Sequence, residues 1–186
     1  RKRQYDIIQK KMKNYIELFS VITIGFILLA PEVYHIFAVK EYWSGTGMIP
    51  IFAIGTFFVF LYSFSVNYEI FYKSTKVIAF GSVLSAACNI LLNIVLIRLW
   101  GSYGAVVATV LSYLLQFIFQ HISAMRISKE RKDYFLKLPM YIGYFSVVIV
   151  FVGISVIKIS VFVRWILSIM IGGYEFYKIL RRKSIF

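Results

Sequence analysis

The chain has 186 residues, 60% of them hydrophobic and 16% charged, with a net charge of +13 and a mean hydropathy of +0.78. A soluble domain of this size could not cover so much apolar surface, which excludes a soluble globular fold. In a soluble protein such a basic surplus would point to nucleic acid. Here the basic residues flank apolar runs, so they read as topology determinants and contacts to anionic lipid, and no nucleic-acid partner is expected.

The residues from Arg1 to Tyr15 form a basic segment. Its resemblance to a signal peptide is superficial. The following run is too long, no small-residue cleavage pattern follows, and five more runs come after it. The start Arg-Lys-Arg suggests the C-terminal part of a larger protein. Between the charge clusters lie uncharged runs near the roughly 20 residues that a spanning helix needs.

The first span is expected from Ile16 to Ala38, with Glu17 at its entry and Pro31-Glu32 in its last turns. Glu32 is expected where that helix frays after the proline. The second span runs from Gly47 to Asn67 and the third from Val77 to Ile97, neither carrying a charge. A tight turn from Arg98 to Tyr103 leads to the fourth span, Gly104 to Ser123. A basic loop (125–137) separates it from the fifth span, Leu138 to Ile157. The sixth runs from Ile159 to Ile179, with Arg164 and Glu175 near its ends, before the tail 181–186. The predicted organisation is thus 1–15, four spans in 16–124, the loop 125–137, two further spans in 138–180, and 181–186. The fold class is an all-α integral membrane protein of about six transmembrane helices. The runs are twice the length of a barrel strand and lack strict alternation.

Orientation follows from the basic residues. Seventeen of the 21 Lys and Arg residues fall on the side of both termini, and the others are Lys40, Arg98, Lys158 and Arg164. The positive-inside rule makes the termini cytoplasmic. Trp43, Trp100 and Trp165 fall at outer span ends; Tyr15, Tyr68, Tyr72, Tyr141 and Tyr177 fall near inner ends. Both rings prefer the headgroup level.

Small and polar residues mark the helix faces that meet protein or water. The third span carries Gly81, Ser85, Asn89 and Asn93 at successive four-residue spacings. The fourth carries Gly104, Ala108, Ser112, Gln116 and Gln120 at the same spacing, and the second has Gly55, Ser63 and Asn67. The short turn makes spans three and four antiparallel neighbours. Two readings of the stripes stay open. Small residues allow close approach while the amides bond across helices; alternatively, the same faces line an aqueous cavity for a polar substrate. Asn89 and Asn93 are the leading cavity candidates, followed by Ser85, Ser112, Gln116, Asn67 and Arg98.

The other charged residues read as anchors. Glu175 and Lys178 form an expected snorkelling pair. Arg98 and Arg164 anchor at the interface or face a passing phosphate. The lone Cys88 excludes an internal disulfide and a cysteine metal cluster. His35 and His121 sit far apart near span ends. No nucleophile–base pair, phosphate-binding Gly loop or HExxH motif is present, so neither catalysis nor a metal or cofactor is expected.

Three stretches together resemble one family: Ala30-Pro-Glu-Val-Tyr-His-Ile-Phe37, Asn89-Ile-Leu-Leu-Asn-Ile-Val-Leu-Ile97, and Trp100-Gly-Ser-Tyr-Gly-Ala-Val-Val-Ala-Thr109. In order and spacing they look like the polysaccharide flippases, the O-antigen and capsule repeat-unit flippases of the multidrug/oligosaccharidyl-lipid/polysaccharide exporter superfamily. Members typically show a proline-terminated helix, an Asn-x-x-x-Asn helix and a Gly-x-x-Gly-Ala-x-x-Ala-Thr helix start. The resemblance covers Leu18 to Ser123. It departs at Arg98, where relatives often carry proline.

The resemblance implies a two-lobed exporter fold, of which this chain would supply the last four core helices and two extra ones. The partner would be the missing N-terminal lobe. The substrate would be a lipid-linked oligosaccharide, typically on undecaprenyl diphosphate. It would move from the cytoplasmic to the outer leaflet of a bacterial inner membrane by alternating access. Two alternatives are an ion-coupled drug antiporter of the same superfamily and a membrane polymerase or scaffold of glycan assembly. The first wants a mid-membrane carboxylate, the second a large external loop, and these spans offer neither.

Overall fold

Apolar side chains recur every three to four residues along the runs, and a bilayer leaves backbone groups no partner but their own helix. The result is six α-helices: α1 (Lys2–Phe37), α2 (Met48–Phe71), α3 (Thr75–Trp100), α4 (Ser102–Ile127), α5 (Leu138–Val156) and α6 (Val161–Arg181). A 3-10 segment, Lys40–Gly47, precedes α2. The structure, a computed structural model, describes residues 2–127, 138–156 and 160–181, with no strand among them. Most of the expected loop 125–137 and of the tail 181–186 lies outside these residues. The helices α1 to α4 are each long and apolar enough to cross a bilayer, and the chain is an all-α membrane protein.

The helix α1 does not stop at the expected basic segment. Its 36 residues make a rod about 54 Å long, well beyond a hydrocarbon core of about 30 Å. Residues 2–15 simply continue it, because Lys, Gln, Met and Ile are ordinary helix formers. At the other end Pro31 withholds one N–H, yet the helix runs on to Phe37.

Contacts divide the chain into two compact units, Arg1–Ala53 with Leu136–Phe186, and Ile54–Phe135. In the first, α1 packs on α5 and α6. These two late helices thus share a unit with α1, across the division drawn in chain order at residues 124 and 138. The seam of α1 is Met12, Ile16, Ile24, Ile27 and Leu28, all buried. Within it, Ser20 and Thr23 donate to the carbonyls of Ile16 and Phe19 at 2.7 and 2.8 Å, which satisfies both hydroxyl protons locally. Tyr141 of α5, expected at the headgroup level, is instead buried, its hydroxyl donating to Met12 Sδ at 3.5 Å.

Charge explains why α6 fails the simple test for a spanning helix. It carries Arg164, Glu175, Lys178 and Arg181. Arg164 pairs with Glu32 of α1. Lys178 pairs with Glu17 of α1 and, at 3.1 Å, with Glu175 of its own helix. The Glu175–Lys178 pair was expected; the α1 acids were not. Glu32 does not sit at a frayed end, because the helix continues past it and its carboxylate meets Arg164. Since 17 pairs with 178 and 32 with 164, the two helices run antiparallel, and α6 is clamped near both its ends to the later half of α1.

Beyond α1, the 3-10 segment folds back on the helix. Tyr34 Oη donates to the Tyr42 carbonyl at 3.0 Å, and Trp43 Nε1 to the Ala38 carbonyl at 3.0 Å. Thr46 Oγ1 gives its only proton to the Trp43 carbonyl at 2.7 Å, so His35 Nε2, 3.1 Å away, is the donor to that oxygen.

In the second unit α3 and α4 form an antiparallel hairpin. The expected turn of six residues shrinks to one: Gly101 alone lies outside the helices, at φ 58°. Its N–H still bonds the Ile97 carbonyl at 2.8 Å, and its positive φ, which glycine adopts without a Cβ penalty, then reverses the chain. Three residues on, a Cβ at Gly104 would lie 2.0 Å from the Leu96 carbonyl oxygen. Gly81, at the other end, is packed less tightly, with Phe119 and Gln120 side-chain atoms at 2.7 and 2.8 Å from a Cβ there. The α2 end carries a Schellman cap: Lys73 N–H to the Ile70 carbonyl and Ser74 N–H to the Glu69 carbonyl, both 2.9 Å, with Lys73 left-handed at φ 56°.

Two predictions follow from these contacts. Arg164→Leu strands Glu32 and lowers stability by about 3–5 kcal/mol, while Glu32→Leu with Arg164→Leu restores most of it. Thermal unfolding in lipid nanodiscs measures both. Gly104→Ala costs about 1–3 kcal/mol through overpacking, whereas Gly143→Ala, with open space around it, leaves the midpoint unchanged.

Candidate functional site: a neutral polar groove on α3 and α4

The α3–α4 seam is tight at its glycines and opens between them. Ser85 Oγ donates to the Ser112 carbonyl at 2.8 Å, and Ser112 Oγ to the Ala108 carbonyl at 2.7 Å. These serines are buried and hold the helices together. Beside them lies a groove of about 340 Å³, lined by Ser82, Ser85, Ala86, Asn89, Thr109, Ser112, Tyr113 and Gln116. Five hydroxyls and two amides face it, and none of its lining residues carries a charge. Gly55 of α2 shapes the wall, since a Cβ there would lie 3.3 Å from Tyr113 Cδ2. Elsewhere between α2 and α4 the rings of Phe58 and Phe117 stack at 6.2 Å.

The structure brings four of the seven expected cavity residues together here: Ser85, Asn89, Ser112 and Gln116. Asn93 stands one turn away and acts through Asn89, its Nδ2 donating to the Asn89 carbonyl and to Asn89 Oδ1, both at 2.9 Å. Asn67 is exposed on α2 and Arg98 is exposed in the last turn of α3; neither lines the groove. Asn89 Nδ2 reaches Thr109 Oγ1 at 3.5 Å, and Gln116 Nε2 reaches Ser82 Oγ at 3.4 Å. Both are long for hydrogen bonds, so these two amide donors remain open to a ligand. Thr109 gives its own proton to the Ala105 carbonyl at 3.0 Å. The groove therefore offers neutral donors and hydroxyl lone pairs, a set suited to a polar, hydroxylated guest.

Strict four-residue spacing does not select Ser82, Thr109 and Tyr113 as lining residues. The helical face also admits three-residue steps, and Ser82–Ser85–Asn89 and Thr109–Tyr113–Gln116 combine both. A second omission is larger. The expected charge-free second span ends at Asn67, but α2 continues to Phe71 and buries Glu69 completely. The buried face Phe57, Leu61, Ser65, Tyr68 and Glu69 has ordinary helical spacing, and that periodicity was the available signal. Among the described residues no three His, Cys, Asp or Glu side chains converge as a metal site would require.

The groove's accessibility can be measured by cysteine labelling on a Cys88→Ala background. Ser82→Cys and Gln116→Cys are expected to react with a water-soluble maleimide, while Ser112→Cys, at a position 2% exposed, stays protected. Protection at all three positions would mean that lipid fills the groove. No protein-family model, curated protein or solved structure matches this chain.

Proposed function

We propose that the chain is part of a membrane transporter that flips lipid-linked oligosaccharide repeat units, with the lobes of the whole protein rocking to give alternating access. The observation that carries this reading is the neutral polar groove, built where two of the three family-like stretches meet. Asn89 opens the second stretch and Thr109 closes the third, and the two side chains face each other at 3.5 Å. The other small residues of the third stretch have physical tasks that support such a groove. Gly101 turns the chain, Gly104 permits the close approach, and Ala108 is fully buried in the seam. A sugar would lie against hydroxyls, amides and the Tyr113 ring, while its lipid tail stays in the bilayer. On this reading the membrane is a bacterial inner membrane and both termini are cytoplasmic, as the placement of basic residues supports.

A translocation assay with a fluorescent lipid-linked oligosaccharide tests the proposal in the full-length transporter. Asn89→Leu is expected to reduce flipping by at least about tenfold, equivalent to about 1.4 kcal/mol of lost transition-state interaction, with Asn93→Leu weaker because it acts through Asn89. Unchanged flipping at normal expression in both variants would remove the groove from the transport path.

A further inference from the structure

Glu69 is the one acidic residue described inside a helix that lacks both a basic partner and exposure to water. Glu17, Glu32 and Glu175 have cations beside them, and Asp6 and Glu41 are exposed. Glu69 is 0% exposed, and its side-chain neighbour is Gln120 of α4, likewise 0% exposed. One end of the Gln120 amide lies 3.1 and 2.7 Å from the two Glu69 oxygens. The other end lies 3.4 Å from the Ile78 carbonyl of α3.

The amide is therefore held between two sets of acceptors, and it can donate to only one of them. If Glu69 is ionised, Nε2 must turn toward the carboxylate, and Oε1 then confronts the Ile78 carbonyl, oxygen against oxygen. If Glu69 carries a proton, its O–H donates to Gln120 Oε1, and Nε2 donates to the Ile78 carbonyl. The ionised arrangement gives both Glu69 oxygens an amide donor but loses the Gln120 bond to the Ile78 carbonyl, whereas the protonated one keeps that bond and avoids a buried charge with no cation beside it, which is the costlier state. The backbone that carries the carboxyl is fixed, since the Glu69 main-chain carbonyl accepts from Ser74 N–H in the helix cap. One turn earlier on the same face, the Ser65 hydroxyl is 1% exposed and has no hydrogen-bond partner, unlike Ser20, Thr23 and Ser112, which donate to carbonyls four residues back.

We propose that Glu69 and Gln120 form a proton-binding site within the α2–α3–α4 unit, in which Glu69 takes up one proton and the Gln120 amide turns over to receive it. Release of the proton turns the amide back and breaks its bond to α3, so occupancy of the site is felt in the helix that lines the groove. The other titratable groups nearby are Tyr68, Tyr72 and the exposed Lys73 at the end of α2, the exposed Lys76 at the start of α3, and His121 next to Gln120, stacked on Phe117 at 5.7 Å. None of them forms an ion pair with Glu69 among the described residues.

Infrared difference spectroscopy on the full chain in lipid bilayers, without substrate, tests the site independently of any transport activity. The expected result is a protonated-carboxyl stretching band present at neutral pH and lost at alkaline pH. It is absent in Glu69→Gln, which mimics the neutral acid in shape, and shifted in frequency in Gln120→Leu. Glu69→Asp keeps a protonated-carboxyl band and serves should the glutamine variant fail to fold. No such band in the wild-type protein, or one that survives in Glu69→Gln, overturns the proposal. So does a band abolished by sodium but not potassium, which would make the occupant a metal cation.

Discussion

Between Gly104 and the Leu96 carbonyl there is no room for a methyl group, and much of the Ile54–Phe135 unit depends on that approach. Lipid tails are as apolar as leucine, so helices in a bilayer gain little by hiding apolar surface from it. Close backbone contact and hydrogen bonds must hold them. Glycine at 104 and 81 brings α3 and α4 near enough for Ser85 to reach a carbonyl on the opposite helix. The same nearness leaves the larger polar side chains at 89, 113 and 116 unable to enter the seam, and Ser82 lies beside them off the seam-facing line. They stand along its edge and become the walls of the groove. Seam and groove are thus two results of one choice of residue sizes.

The other unit solves the same problem by different chemistry. Its α6 carries both signs of charge at spanning depth, and these charges are tolerable because α1 brings Glu17 and Glu32 to them. Taking ions out of water is expensive, and such pairs compensate the penalty without adding much net stability. Their value lies in specificity. An antiparallel α1–α6 contact in any other register would leave a cation or a carboxylate alone among apolar side chains. The Ile54–Phe135 unit has no such pair among its described residues and relies on hydroxyls, amides and one carboxyl.

Helix positions were largely readable from sequence, since apolar runs and charge clusters are one-dimensional features. The α3–α4 antiparallel seam was readable too, because stripes of small residues at four-residue spacing can only meet face to face. What escaped were interactions that depend on which distant residues become neighbours. The span expected to end at Asn67 does not include Glu69. The residue lies only two positions further on, facing Gln120, and only the third dimension joins two residues 51 positions apart in the chain. Tyr141 went inward for a similar reason: a sulfur on α1 accepts its hydroxyl, so it needed no headgroup. Pro31 misled because a proline removes one hydrogen bond, which a packed helix can lose without ending.

The polar atoms of the groove also bear on which part of a lipid-linked oligosaccharide it would meet. Ser85, Thr109 and Ser112 have each given their proton to a carbonyl and can only accept. Asn93 occupies both oxygens of Asn89, which aims the Asn89 N–H groups toward the groove. The strong partners of a diphosphate are cations, with bidentate arginine foremost, and Arg98 stands apart from the lining residues. A sugar, by contrast, presents hydroxyls that both give and take protons, and these complement the hydroxyl lone pairs and the amide donors that both walls carry. On the proposed reading, the groove is therefore fitted to the sugar portion. A diphosphate, on the same reading, would draw its positive charge from residues outside this groove.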